Sequence, residues 1–361
     1  MSTKPTSPST SGKKVFVGLS GGVDSAVSAA LLKEEGYDVT GVFIRAWQPD
    51  WLPCTWREER RDAMKVALEL EIPFLFLDAE KEYKQGVVDK MLEEYKKNRT
   101  PNPDVLCNKE IKFGTFWQFA RERGADFIAT GHYARIEDGT LKEGKDIEKD
   151  QSYFLWTLTQ DDLSHTLFPV GHLEKSEVRE LAKKFNLPVA EKKDSQGICF
   201  MGDVSMEDFL SHYIEAKPGK VVNADGEVIG THKGLIYYTV GERHGFDVVK
   251  KGESSGPFYV VLKDAKKNVL VVSDKEEEIK EFSPKKILIS ATNWVNVPEN
   301  PEFAARIRYR GEKLHSTLLL EGKKLCIEFK EPVRGLSLGQ SVVFYYRDEC
   351  LGGAVMDKII E

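Results

Sequence analysis

From Val15 to Leu31 the chain passes from a short apolar run, through glycines and serines, into residues whose apolar members recur at helical spacing. A strand that must turn through Gly18–Ser25 into a helix needs parallel partners and helices to cover them. The same alternation follows. Strand patterns occur at Val39–Ile44, Phe74–Leu77 and Asp126–Thr130. Helical patterns occur at Arg57–Leu70, Lys81–Lys97, Lys109–Arg123, Lys175–Phe185 and around Met206–Ile214. Glu137–Gln151 is polar and reads as an excursion from the sheet. Repeated strand–helix units predict an α/β fold, a Rossmann-like parallel sheet with helices on both faces.

After Lys217-Pro218-Gly219 the helical periods stop and short strand patterns with turn dipeptides begin. A charged stretch, Asp274–Lys280, marks a second break. Beyond it, evenly spaced strand patterns predict a small barrel. The expected division is a tail over 1–13, an α/β domain over 14–212, a small β-rich domain over 213–280 and a C-terminal β-barrel over 281–361. Phe303–Arg310 reads as one strand, on which Arg306, Arg308 and Arg310 would share a face, either a row for phosphates or a solvated surface.

The charge balance, 52 basic against 58 acidic residues, excludes a general basic coat for nucleic acid. Local patches remain open, the arginine row and Lys183-Lys184 with Lys192-Lys193 among them. No uncharged apolar run approaches the roughly 18 residues that span a bilayer. The N-terminus lacks the apolar core of a secretory signal, so a cytoplasmic location is expected. The five cysteines are odd in number and have no zinc-type spacing, which argues against a disulfide framework or a zinc ribbon. No histidine spacing suggests a metal site. Cys326 and Cys350 read as packing residues.

The turn Gly18-Leu19-Ser20-Gly21-Gly22-Val23-Asp24-Ser25 carries the first chemistry. Its glycines let backbone N–H groups approach a phosphate, the helix N-terminus favours an anion, and Ser20 and Ser25 add hydroxyls. It lacks the Gly-Lys-Ser/Thr ending of a Walker A loop and the spacing of the dinucleotide fingerprint. Cys107 stands between the turn Asn102-Pro103-Asp104 and a helix expected from Lys109. A cysteine at a helix N-terminus beside a lysine has a lowered pKa; a packed, inert cysteine is the other reading. Asp104 is close enough in sequence for proton transfer. Cys199 follows Lys192-Lys193-Asp194-Ser195-Gln196-Gly197, a bend with two lysines. Two such thiols that met in space could pass a persulfide sulfur and be left as a disulfide.

The string Ser20–Ser25 after a strand resembles the pyrophosphate loop of the N-type ATP pyrophosphatases. With Thr100–Phe113, Thr130–Arg135, Lys149–Leu155, Phe168–Gly171, Lys193–Phe200, Gly234–Gly241, Arg306–Arg310 and Gly339–Tyr345, the chain resembles the bacterial tRNA-specific 2-thiouridylases from about Lys14 to its end. The resemblance implies an ATP-dependent sulfur transferase that adenylates O2 of the wobble uridine and replaces it with sulfur. ATP would lie on Gly18–Ser25 with Ile44 and Gly131, and Mg²⁺ would accompany it. Cys107 would be the nucleophile, Cys199 the persulfide carrier and Asp104 the acid/base, with a transient Cys107–Cys199 disulfide. Asn102, Pro103 and Asp104 would meet the target base. His132, Lys149, Asp150, Gln151, Arg308, Tyr309 and Gln340 would contact tRNA of the Lys, Glu or Gln type. A persulfide carrier or cysteine desulfurase would supply sulfur. The alternative is a related ligase that adenylates a small molecule, in which the paired cysteines have no task.

Overall fold

Val15, Phe16 and Val17 are all buried, as a central parallel strand covered on both faces requires. The computed structural model describes residues 12–193, 204–249, 256–297 and 301–360. These form two units. The first comprises the described residues of Met1–Val87, Asp104–Asp203 and Asp348–Cys350; the second comprises those of Val88–Pro103, Val204–Arg347 and Leu351–Glu361. The segment 88–103 therefore clusters with the second unit, although the sequence pattern places it inside the first domain.

In the first unit, β1 (Lys14–Gly18) leads to α1 (Val23–Glu34), β2 (Asp38–Arg45), α2 (Trp56–Glu69) and β3 (Phe74–Asp78). Then come β4 (Phe127–Ala129), a hairpin of β5 (Ala134–Glu137) and β6 (Thr140–Glu143), and β7 (Thr166–Leu167). The sheet runs β3-β2-β1-β4-β7, and its pairings are parallel. Small residues Ala26, Ala29 and Ala30 let α1 sit close in the core, where Val178 and Ala182 of the helix Lys175–Lys184 join it. The strand order grows from β1 one way to β3 and then resumes with β4 on the other side. That reversal opens a crevice at the carboxyl ends of β1 and β4, where open α/β sheets hold ligands. The polar stretch after Glu137 is not shapeless, because its start closes the β5–β6 hairpin.

The second unit contains β8 (Gly219–Val222), β9 (Val228–His232), β10 (Asp247–Val248), β11 (Tyr259–Asp264) and β12 (Val269–Ser273), in the order β10-β9-β8-β12-β11. It continues through β13 (Lys286–Trp294), β14 (Glu302–Arg306), β15 (Leu314–Glu321), β16 (Lys324–Phe329), β17 (Ser341–Tyr346) and β18 (Glu349–Ile360). The order β13-β16-β15-β14-β17-β18 closes through β13–β18, so these six strands make a barrel without free edges. Ile287, Phe303, Ile327, Phe344 and Met356 fill its core.

The arginine row does not form. β14 ends at Arg306, Ile307 is buried, and Arg310 takes a left-handed φ of 58° in a turn. The chain bends at 307–308 and turns at 309–310, where Gly311 N–H donates to Arg308 O, so the three arginines go separate ways. Arg306 lies over the Tyr345 ring, Arg310 over Tyr309, and Arg308 turns to backbone carbonyls.

Candidate active site

The loop after β1 is built around its own serines. Ser20 N–H donates to Ser25 Oγ at 3.2 Å, Gly22 N–H donates to Ser20 Oγ at 3.3 Å, and Ser25 Oγ donates to Gly22 O at 3.2 Å. Gly22 caps α1 with no side-chain bond, which leaves the helix N-terminus without a competing cap. Gly21 has φ 74°, and a Cβ there would stand 2.4 Å from Glu59 O, so only glycine suits this tip.

Two lysines from distant sequence reach the loop. Lys175 Nζ donates to Asp24 Oδ1 at 2.6 Å, and the Tyr133 hydroxyl donates to the same oxygen at 2.8 Å. Lys192 Nζ donates to Gly21 O and to Asp62 Oδ2, each at 2.9 Å. Burial raises Asp62, but hydrogen bonds from Lys192 and Lys65 outweigh it and hold the carboxyl below its ordinary value. The expected patch of Lys183-Lys184 and Lys192-Lys193 is thus largely spent: Lys183 pairs with Glu191 and Lys184 with Glu34, while Lys192 turns inward. The loop lacks a lysine of its own, and Lys175 and Tyr133 are the partners that sequence reasoning missed. Their only sequence signal was position, Tyr133 just after β4 and Lys175 opening a helix.

Across the crevice, the tripeptide Thr130-Gly131-His132 follows β4. A Cβ on Gly131 would lie 2.6 Å from Ser25 N and 2.8 Å from Asp24 C, so this peptide rests on the loop. Ile44, at the end of β2, approaches the same strand end: its Cδ1 stands 3.8 Å from a Cβ built on Gly18. His132 is buried, stacked edgewise on Phe168 and near Phe113. Thr130 Oγ1 lies 2.7 Å from its Nδ1 and Lys112 Nζ lies 3.3 Å from its Nε2. Burial, reinforced by the Lys112 ammonium, holds the imidazole well below its ordinary pKa. An expected tRNA contact is thus a neutral, internal ring.

Lys112 belongs to the run that carries Cys107. The helix begins at Pro103, not Lys109, and passes from Pro103–Cys107 into a π-helical stretch, Asn108–Thr115. Proline suits the first helical position because its missing N–H costs nothing there. Cys107 consequently sits past the first turn, beyond most of the helix dipole expected to activate it. It is buried, and Asn108 Nδ2 anchors the next residue to Phe154 O at 3.0 Å. Burial pushes the Asp104 carboxyl up and Lys112 opposes that rise. Cys199 lies outside the described residues.

The remaining expected tRNA contacts divide by burial. Asp150 is buried and accepts from Gly144 N–H, Ser152 N–H and Ser152 Oγ, which staples its own loop. Gln151 Oε1 accepts from Tyr133 N–H at 3.0 Å, and Lys149 is half-buried. In the second unit Arg308 is exposed, and its Nη2 donates to Val240 O and to Gly335 O. Tyr309 is half-buried beside it. Gln340 Nε2 donates to Thr100 O at 2.9 Å, and Thr100 N–H donates to Leu338 O at 2.8 Å. These bonds clamp the segment that leads to half-buried Asn102 and buried Pro103.

Sequence comparison places this geometry. The chain is 46% identical over 358 residues to tRNA-specific 2-thiouridylase MnmA of Lactococcus lactis, covering 95% of this chain and 94% of the relative. It is 47% identical over 359 residues to tRNA-specific 2-thiouridylase MnmA 1 of Geobacillus kaustophilus, covering 97% and 96%. The chain belongs to the tRNA-specific 2-thiouridylase family. Family models divide it as a tRNA methyl transferase HUP domain over 13–203, a tRNA methyl transferase PRC-barrel domain over 207–274 and an aminomethyltransferase beta-barrel domain over 284–356. The Listeria monocytogenes relative is 46% identical over 355 residues, covering 96% and 95%. Among the described residues, no helix is long and apolar enough to cross a membrane.

Proposed function

We propose that the chain is an ATP-dependent sulfur transferase that converts the wobble uridine of tRNA to 2-thiouridine. The observation that carries this reading is the tripeptide Thr130-Gly131-His132, which touches both the phosphate-type loop and Lys112 of the cysteine-bearing helix. The loop N–H groups and Lys175 would hold the β and γ phosphates, with Asp24 released toward the magnesium that accompanies them. The nearby Ile44 and Gly131 would flank the nucleoside.

Uridine O2 attacks the α phosphate, and diphosphate leaves. The C2 carbon now carries AMP, a good leaving group in place of a poor one. Sulfur comes from a persulfide on Cys199, loaded by an external persulfide carrier or cysteine desulfurase. Cys107 supplies the two electrons that convert the persulfide sulfur to the sulfide level. The C2–S bond forms and the C2–O bond to AMP breaks. The persulfide S–S bond breaks and a Cys107–Cys199 bond forms, which an external thiol must reduce. Asp104 moves the proton. A base stacked in an anticodon must be splayed out for this attack, a task for Asn102 and Pro103. Soluble cytoplasmic tRNAs of the Lys, Glu and Gln type are the expected substrates.

Nucleoside mass spectrometry of unmodified tRNA, incubated with Mg-ATP and a persulfide donor, tests the reading. Wild type should yield 2-thiouridine, and Cys107→Ser and Cys199→Ser should lose it. With sulfide as donor, which needs no persulfide carrier, Cys199→Ser should regain activity. ATP consumption without thiouridine, but with adenylation of a small molecule, would favour the ligase alternative.

A further inference from the structure

We propose that Lys192 is a positioning residue of the phosphate-type loop, which holds the Gly21 carbonyl away from the anion site so that the Gly22 N–H faces it. The inference deepens the ATP reading above and rests on it. Lys192 Nζ donates to Gly21 O and to Asp62 Oδ2, each at 2.9 Å. The Gly21–Gly22 peptide is trans, so its C=O and its N–H point in opposite directions. Fixing the carbonyl therefore fixes the N–H. On the far side from Lys192, Gly22 N–H donates to Ser20 Oγ at 3.3 Å, a long bond that a phosphate oxygen can replace with a stronger one.

A peptide between two glycines needs such a clamp. Turning it over would carry Gly22 from φ −102° to positive φ, which glycine enters at little cost. The turned carbonyl would then present its oxygen to the phosphates and repel them. The loop cannot stiffen its own tip with a larger residue, because a Cβ on Gly21 would stand 2.4 Å from Glu59 O of α2. A lysine 171 positions later in the chain supplies the restraint instead. The clamp is itself held. Lys65 Nζ donates to Asp62 Oδ1 at 3.1 Å, and Arg179 Nη1 donates to Lys192 O at 2.6 Å and to Ala190 O at 2.8 Å. Lys175 grips a carboxylate and can turn from it to a phosphate; Lys192 grips a backbone oxygen and stays when the ligand arrives.

Two measurements on the full chain test this. Crystal structures without nucleotide should show the Gly21–Gly22 peptide of wild type in one orientation, with Gly21 O on Lys192 Nζ. In Lys192→Met the peptide should be turned over or present in two orientations. The same single orientation in both proteins overturns the proposal, whether or not the protein thiolates tRNA. Calorimetric titrations with inorganic pyrophosphate, Mg-ATP and AMP follow. Lys192→Met should weaken pyrophosphate and Mg-ATP at least about tenfold, since a charge-assisted N–H contact is lost. AMP has no β or γ phosphate to place on the loop, and its affinity should be unchanged. Unaltered Mg-ATP affinity in the variant, or an equal loss for AMP, overturns the proposal. Failure of wild type to bind Mg-ATP or pyrophosphate would instead sink the functional reading, while the pair of structures would still decide the clamp.

Discussion

Lys175 in the first unit and Arg99 in the second are both part-buried cations paired with carboxylates. Lys175 meets Asp24 at 2.6 Å, beside a helix N-terminus that no side chain caps. Arg99 meets Glu94 at 2.7 Å and Asp357 at 3.2 Å, and it also donates to the carbonyls of Met356 and Asp357. The guanidinium fork is thus spread over fixed acceptors on β18 and the helix Lys90–Lys96. An ammonium is a rotatable point charge that can turn from a carboxylate to a phosphate. The lesson is that a cation's role follows from what else surrounds its partner. Charge content alone could not separate a lysine poised at an uncapped helix start from a bracing arginine.

The comparison can be broken most forcefully at Lys175. Lys175→Ala should weaken ATP binding by about 1.5–3 kcal/mol, roughly 10- to 150-fold, since a charge-assisted contact is lost. Calorimetric titration with ATP reads this, and the melting temperature should barely move. An unchanged affinity would return Lys175 to the bracing class.

Arg99→Ala should do the reverse. It removes the cation that bridges Glu94, Asp357 and two carbonyls of β18, although Lys97 still reaches Glu94 and Gly339 N–H still donates to Met356 O, a cost of about 1–3 kcal/mol to the second unit. Denaturant unfolding followed through Trp294 should show it, with ATP affinity intact.

A finer effect concerns Lys263, whose Nζ donates to Tyr238 O at 2.6 Å. Burial pulls its pKa down from 10.5 to about 8, against the pull of Glu242. Between those values the unfolded chain binds more protons than the folded one, so stability rises with pH. From pH 8 to pH 9.5 wild type should gain about 1.5 kcal/mol relative to Lys263→Met. A difference that is constant over this range would show that the lysine is solvated in the folded state.

Much of the first unit was legible because its signals are local. The apolar run of β1, the glycine turn and the small-residue face of α1 lie within twenty residues, and each step forces the next. The barrel was legible as a class from alternation alone. The arginine row was misread because alternation continues past Arg306 in sequence, while a bend at 307–308 and a turn through left-handed Arg310 end the strand in space. The start of the Cys107 helix was misplaced because Asn-Pro-Asp serves equally as a turn or as a helix start, and packing chose the second.

The sequence by itself determined the βα framework, the phosphate-type loop and the cysteine-bearing segments, since backbone conformation and thiol chemistry are written in single residues and short runs. Tertiary structure decided which distant side chains complete the loop, Lys175, Lys192 and Tyr133. It also turned His132 from a candidate surface contact into a buried acceptor for Lys112. The first outcome depends on segments more than a hundred residues apart and the second on burial, and no local pattern encodes either.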